Sequence, residues 1–184
     1  MGSGTSITDR RPGARRGLTL IEGLVASCVL AVAVVGIIGP IAASYKHSAA
    51  AESTSQAVAL VGQLLEEISS KPLVDPSDQS MTLGPEGNEA AAGRLAFDNI
   101  DDYHLYADST DGSSGAPMKA LDGSTMDLAR RGVVRRSVSV EYRADPAGPA
   151  VASGDFALVT VTAQGHAGPP VAAHKLFCKY PEIK

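Results

Sequence analysis

Between Leu18 and Ala43 the chain carries a single charged residue, Glu22. As a helix, these 26 residues rise about 39 Å, enough to cross a hydrocarbon core of about 30 Å with some tilt. A carboxylate at that depth costs at least about 2.5 kcal/mol, so it calls for a partner or an exit to the head groups. With no Trp, 3 Phe and 5 Tyr, a large aromatic core is not available. The folded body is therefore expected beyond the run, small, and built on Val, Leu and Ala.

Charge divides across the run. Arg10, Arg11, Arg15 and Arg16 against Asp9 give +3 before it, and 12 Lys/Arg against 18 Asp/Glu give −6 from Ser44 onward. Basic residues before a hydrophobic span and an acidic body after it predict a single-pass inner-membrane protein. Its N-terminus would lie in the cytoplasm and its C-terminal domain in the periplasm or outside the cell. An acidic body lacks the basic face that phosphate binding needs, so no nucleic acid is expected.

The apolar stretch is too long for an ordinary cleaved secretory signal, whose small-residue cleavage site follows a shorter apolar region. Val25-Ala26-Ser27-Cys28 looks like a bacterial lipobox, but Val29 to Ile38 continues as apolar as before, where a lipidated chain turns polar. Arg10-Arg11 and Arg15-Arg16 lack the remainder of a twin-arginine signal. They read as the positive-inside flank of the span.

Gly17-Leu18-Thr19-Leu20-Ile21-Glu22, behind a basic leader and ahead of the apolar run, resembles the cleavage and methylation signature of type IV pilins and type II secretion pseudopilins. Leu18 departs from the usual phenylalanine, and Pro40 falls where the family often bends its helix. The resemblance implies cleavage by a prepilin peptidase between Gly17 and Leu18 and N-methylation at Leu18. It also implies pairing of Glu22 with the new amine of a neighbouring subunit, so that a buried charge costly on its own sets the axial register of a filament. Implied partners are other pilin or pseudopilin subunits and an assembly platform driven by an ATPase. Leu64-Leu65-Glu66-Glu67-Ile68-Ser69-Ser70-Lys71-Pro72-Leu73-Val74-Asp75-Pro76 and Phe97-Asp98-Asn99-Ile100-Asp101-Asp102-Tyr103-His104 are similar to two landmarks of minor pilins of the PilV and MSHA pilin D type.

The helix is expected to continue past the membrane. Residues 44–71 lack proline, and Val58, Val61, Leu65 and Ile68 recur at helical spacing with Leu64 beside them. Glu52, Gln56, Gln63, Glu66 and Glu67 fall on other faces, and Pro72 ends the helix. Gly36, Gly39 and Pro40 are expected points of bending or local melting. Further on, Val134, Val138, Val140 and Tyr142 alternate on one strand face, interrupted by Arg136, opposite Arg135, Ser137, Ser139, Glu141 and Arg143. Residues 156–163 and 171–180 read as second and third strands, the last with Leu176, Cys178 and Tyr180 on one side. The expected fold class is α+β: a long N-terminal helix with a small antiparallel β-sheet packed on its distal half. Five segments follow from this: a leader over 1–17, a membrane or filament-core helix over 18–43, an amphipathic extension over 44–71, a loop region over 72–132 and a β-meander over 133–184.

Asp98, Asp101 and Asp102, with His104 beside them, are the candidate Ca²⁺ ligands. Their spacing is not that of an EF-hand, and no completing ligand is evident downstream. The competing reading makes them loop-capping aspartates, with Phe97, Ile100 and Tyr103 anchoring the turn. Cys28 and Cys178 are too differently placed to suggest a disulfide. His47, His104, His166 and His174 lack metal-type spacing, and there is neither a phosphate loop nor a nucleophile elbow. No catalytic residue and no cofactor are expected. The functional expectation is a structural subunit. The alternative is an unprocessed signal-anchor envelope protein with a small β-domain that binds a ligand.

Overall fold

The computed structural model describes residues 17, 19–75, 82–113, 115–120, 122–126, 132 and 134–179. They fall into two compact units, divided between Tyr45 and Lys46. Helix α1, Leu20–Ser69, contributes to both. It is continuous through Gly36, Gly39 and Pro40, so the local melting expected there is not observed. Pro40 costs the helix one backbone donor, and the surrounding turns remain helical.

In the first unit every helical residue from Leu20 on is exposed. This part of the helix is long and apolar enough to cross a membrane. Among the described residues nothing covers these apolar side chains, as expected for a segment with no polar face.

The second unit is an α+β domain built on a six-stranded sheet. Its strands are β1 (Ala107–Ser109), β2 (Ala116–Pro117), β3 (Arg135–Arg143), β4 (Ala150–Val151), β5 (Phe156–Gln164) and β6 (Val171–Cys178). The spatial order is β2-β1-β3-β5-β6, with β4 pairing to β3. The expected antiparallel meander is β3-β5-β6, in the registers Val140↔Val159 and Val161↔Ala173. The sheet as a whole is mixed rather than antiparallel, because β1 and β2 pair in parallel. Neither short strand, nor β4, has enough residues to show alternation in the sequence.

Alternation on β3 and β5 turns Val138, Val140 and Tyr142 together with Ala157, Val159, Val161 and Ala163 to one face, where all are buried. The distal part of α1 contributes Ala57, Leu60, Val61, Leu64 and Ile68 to the same core. Of the expected stripe, Val61, Leu64 and Ile68 are buried, whereas Val58 is exposed and Leu65 only half-buried, with Ala57 and Leu60 buried in their stead. Two polar residues lie on the buried stripe, Ser53 and Glu67. Glu67, expected on another face, is held there by polar partners, Tyr103 and Arg94.

The β5–β6 connection closes against the helix. The amide of Ala167 donates to Ser53 Oγ at 3.3 Å, and a Cβ placed on Gly165 would collide with that same oxygen. At the other end of the helix, Lys175 on β6 donates to Ser69 Oγ at 2.7 Å. This inward-pointing charge on an edge strand is one of the devices that discourages further strand pairing.

Candidate functional site

Thr19 precedes the first helical residue, and Glu22 stands three residues on. The backbone N–H and the hydroxyl of Thr19 reach Glu22 Oε2 at 3.3 and 3.4 Å, and the Glu22 amide reaches Thr19 Oγ1 at 3.4 Å. Thr-x-x-Glu at a helix start is a capping box, which satisfies donors the helix itself leaves free. The motif is legible in Thr19-Leu20-Ile21-Glu22, but the expectations for Glu22 were its membrane cost and its pairing with a neighbouring subunit, not a helix cap. Gly17 is exposed, with open space where a side chain would stand. Leu18 lies outside the described residues, as do the four leader arginines. Cys28 and Cys178 are both free and exposed, and Tyr180 also lies outside the described residues.

In the second unit the two sequence landmarks lie against each other. Lys71 Nζ donates to the Phe97 carbonyl at 2.6 Å, the Ile100 amide donates to the Pro72 carbonyl at 3.0 Å, and Tyr103 donates its hydroxyl to Glu67 at 2.9 Å. Phe97 stacks edge-on against Tyr103 and Tyr106, with centroids 5.1 and 5.9 Å away. The expected anchoring role of Phe97, Ile100 and Tyr103 matches their burial.

The aspartates of this loop have separate tasks. Asp102 Oδ2 accepts the amides of Asp98 and Asn99 at 2.9 and 3.1 Å, and Asn99 Oδ1 accepts the Asp102 amide at 3.0 Å. Asp101 Oδ2 accepts the Tyr142 hydroxyl at 2.6 Å. His104 Nδ1 accepts the Val140 amide at 3.2 Å, which fixes that nitrogen as unprotonated. Loop capping thus accounts for one oxygen of Asp102, whereas Asp101 spends one of its own on β3. Among the described residues, only Asp102 of the three joins a converging group of possible ligands. Its partners are Glu86 and Glu89, with carboxylate oxygens within 4.8 Å of one another. The completing carboxylates lie upstream, on the turn into the short helix α2 (Glu89–Ala92). No periodicity announces a meeting of residues 13 to 16 positions apart.

Electrostatics follow this crowding. Burial lifts Asp101 to about 6, partly opposed by its hydrogen bond from Tyr142, and Glu86 and Asp102 add repulsion. Burial and the neighbouring Asp102 also push Glu89 above its ordinary range. Asp102 lines a cavity of about 390 Å³ bounded by Pro85, Arg94, Phe97, His104 and Tyr106.

Two buried ion pairs escaped sequence reasoning. Arg136, which appeared to interrupt an apolar face, is on that face and fully buried against Asp108. Arg94 pairs with Glu67 at 3.5 Å. A lone Arg at an inward position was the available signal, since a buried guanidinium implies a carboxylate facing it. No protein-family model, characterised protein or solved structure matches the chain.

Proposed function

We propose that this protein is a minor pilin or pseudopilin, a structural subunit of a type IV pilus or type II secretion pseudopilus. In this reading a prepilin peptidase cuts between Gly17 and Leu18, Leu18 is methylated, and the N-terminal helix enters a filament. The supporting observation is the exposed apolar part of α1, which carries one carboxylate, Glu22, whose polar contacts among the described residues are those with Thr19. In the inner membrane, lipid covers these side chains. In a filament, neighbouring helices do so, and a neighbour's amine answers Glu22. A pilin-like fold, with the helix lying under a small sheet, fits the α+β domain of the second unit. The assembly platform and its ATPase are the partners that such a subunit requires.

The capping box favours a second reading, because it gives Glu22 a local role without any partner. An unprocessed signal-anchor protein would retain the leader and use Glu22 only to start its helix. Mass spectrometry of the mature protein from envelope fractions separates the two. Our reading expects an N-terminal methyl-leucine from Leu18, and loss of processing in Gly17→Val. An intact leader, or lipid on Cys28, overturns it. Glu22→Gln preserves an acceptor for the Thr19 amide but removes the charge, so our reading expects it to be processed and excluded from filaments.

A further inference from the structure

We propose that Glu86, Glu89 and Asp102 form a binding site for a divalent cation of calcium's size and chemistry. The convergence of three carboxylates is the first observation: their ligand oxygens lie within 4.8 Å of one another. Calcium holds oxygens at about 2.3 to 2.6 Å, so ligands on opposite sides of the ion stand up to about 5 Å apart.

The second observation is independent of that convergence. Asp102 is fully buried, and its Oδ2 is taken by two backbone amides of the loop. Its Oδ1 is also buried, and no hydrogen-bond donor reaches it. Asp101, next in the chain and fully buried, repeats the pattern: Oδ2 holds the Tyr142 hydroxyl, and Oδ1 has no donor. A buried carboxylate oxygen without a donor leaves its desolvation uncompensated, a cost that native folds avoid by pairing or by coordinating a metal. Asp101 feels the charges of both Glu86 and Asp102, so its orphan oxygen belongs to the same electrostatic neighbourhood.

Two cations among the described residues have other partners. Arg94 is engaged by Glu67 and by the Lys119 carbonyl, and Lys71 by the Phe97 carbonyl. His104 presents an acceptor to the Val140 amide. An all-oxygen set on a loop and the turn into a short helix suits calcium, which tolerates irregular geometry. Magnesium demands a near-ideal octahedron and gives up its water reluctantly. The cavity beside Asp102 gives solvent access and room for the waters that complete the coordination. Binding would tie the turn before α2 to the Phe97–His104 loop, and through it to the end of α1.

The experiment uses the full chain in detergent micelles, stripped with chelator, and titrates CaCl₂ and, separately, MgCl₂ by calorimetry and thermal denaturation. The expected result is one calcium per chain with a dissociation constant of about 10⁻⁴ to 10⁻³ M, the range of extracellular calcium modules. A rise in melting temperature should accompany it, and magnesium should bind at least tenfold more weakly. Glu89→Gln, on the rim and away from the loop caps, should lose at least tenfold in calcium affinity without changing the melting temperature of the stripped protein by more than a few degrees. Asp111→Asn, in an exposed turn, should bind as the parent does. Absence of heat and of thermal shift at millimolar calcium overturns the proposal. So does unaltered binding by both Glu86→Gln and Glu89→Gln, or equal affinity for magnesium. None of these outcomes depends on whether the leader is cleaved.

Discussion

Arg136 on β3 grips Asp108 on β1 in a two-pronged contact, Nε to Oδ1 at 2.9 Å and Nη2 to Oδ2 at 2.6 Å, with both side chains fully buried. The remaining arm reaches the Leu60 carbonyl on α1 at 3.2 Å, and Tyr106 donates its hydroxyl to Asp108 at 3.0 Å. One guanidinium thus joins helix, central strand and the short strand β1. Removing one partner strands a buried charge and costs about 3 to 5 kcal/mol. Asp108→Ala is expected to lose that much in denaturant unfolding of the full chain in micelles, followed by tyrosine fluorescence. The double variant Asp108→Leu with Arg136→Met should recover most of the loss. A double variant no better than the single one would show that the pair, rather than the unpaired charge, sets the stability.

A second expectation concerns pH. Burial lifts Asp101 to about 6 from an ordinary value of 3.8, so between these values the folded chain holds a proton that the unfolded chain has released. The stabilisation is therefore fully present below about pH 3.8 and is lost as pH rises through about 6. Glu89, also raised, acts in the same sense. With chelator present, Asp101→Asn should melt at a higher temperature than the parent at pH 7, since the amide keeps an acceptor for Tyr142 without the charge. That advantage should shrink between pH 6 and pH 5. An advantage that stays constant over this range would show that Asp101 does not titrate there.

The elements with long periodic patterns were legible in the sequence. The helix ends near Pro72 because that ring restricts the residue before it, and Val138, Val140 and Tyr142 face inward because a strand alternates with period two. The stripe on α1 was misplaced only at Val58 and Leu65, because a helix turns about 100° per residue and Val58, Val61, Leu65 and Ile68 satisfy its three- and four-residue spacing as well as Ala57, Val61, Leu64 and Ile68 do. The mixed edge of the sheet could not be read, since β1 and β2 are shorter than one alternation. The carboxylate cluster was half legible: Asp102 was one of three aspartates expected as ligands, and Asp98 and Asp101 do not join it, while Glu86 and Glu89 look like an ordinary solvated turn until the chain folds back. Glu67 was hidden for a related reason, because a carboxylate on a helix is normally solvated.

Close approach at Gly165 gives a steric expectation. A methyl at this position meets Ser53 Oγ on the helix, and that oxygen already accepts the Ala167 amide at 3.3 Å. Gly165→Ala should destabilise the chain by about 1 to 3 kcal/mol, as forced overpacking does. Ser53→Ala removes the obstructing oxygen and one modest hydrogen bond, worth about 1 kcal/mol. The two changes share one space, so the double variant should cost clearly less than their sum in equilibrium unfolding. Strict additivity would place the obstruction elsewhere.

Glu67 offers the sharpest test of how the helix end is fixed to the loop that follows. Its Oε1 takes the Tyr103 hydroxyl at 2.9 Å and its Oε2 faces Arg94 at 3.5 Å. Burial, reinforced by the Glu67 charge, pushes the Tyr103 phenol well above its ordinary range, so Tyr103 acts as a neutral donor at any pH the fold survives. Glu67→Ala leaves both groups without their acceptor. Arg94 keeps the Lys119 carbonyl at 2.5 Å, which places the loss near the lower end of the about 3 to 5 kcal/mol for a broken buried pair. Tyr103→Phe alone forfeits one hydrogen bond and leaves a buried acceptor still facing Arg94, a cost of about 1 to 3 kcal/mol. If the hydroxyl acts through Glu67, then once Glu67 is alanine the further change Tyr103→Phe should cost almost nothing, or even restore stability by removing an orphaned donor. A Tyr103→Phe penalty that stays the same in the Glu67→Ala background would mean the hydroxyl stabilises the domain by another route, and the helix exit would then be held by Arg94, Lys71 and Pro72 without it.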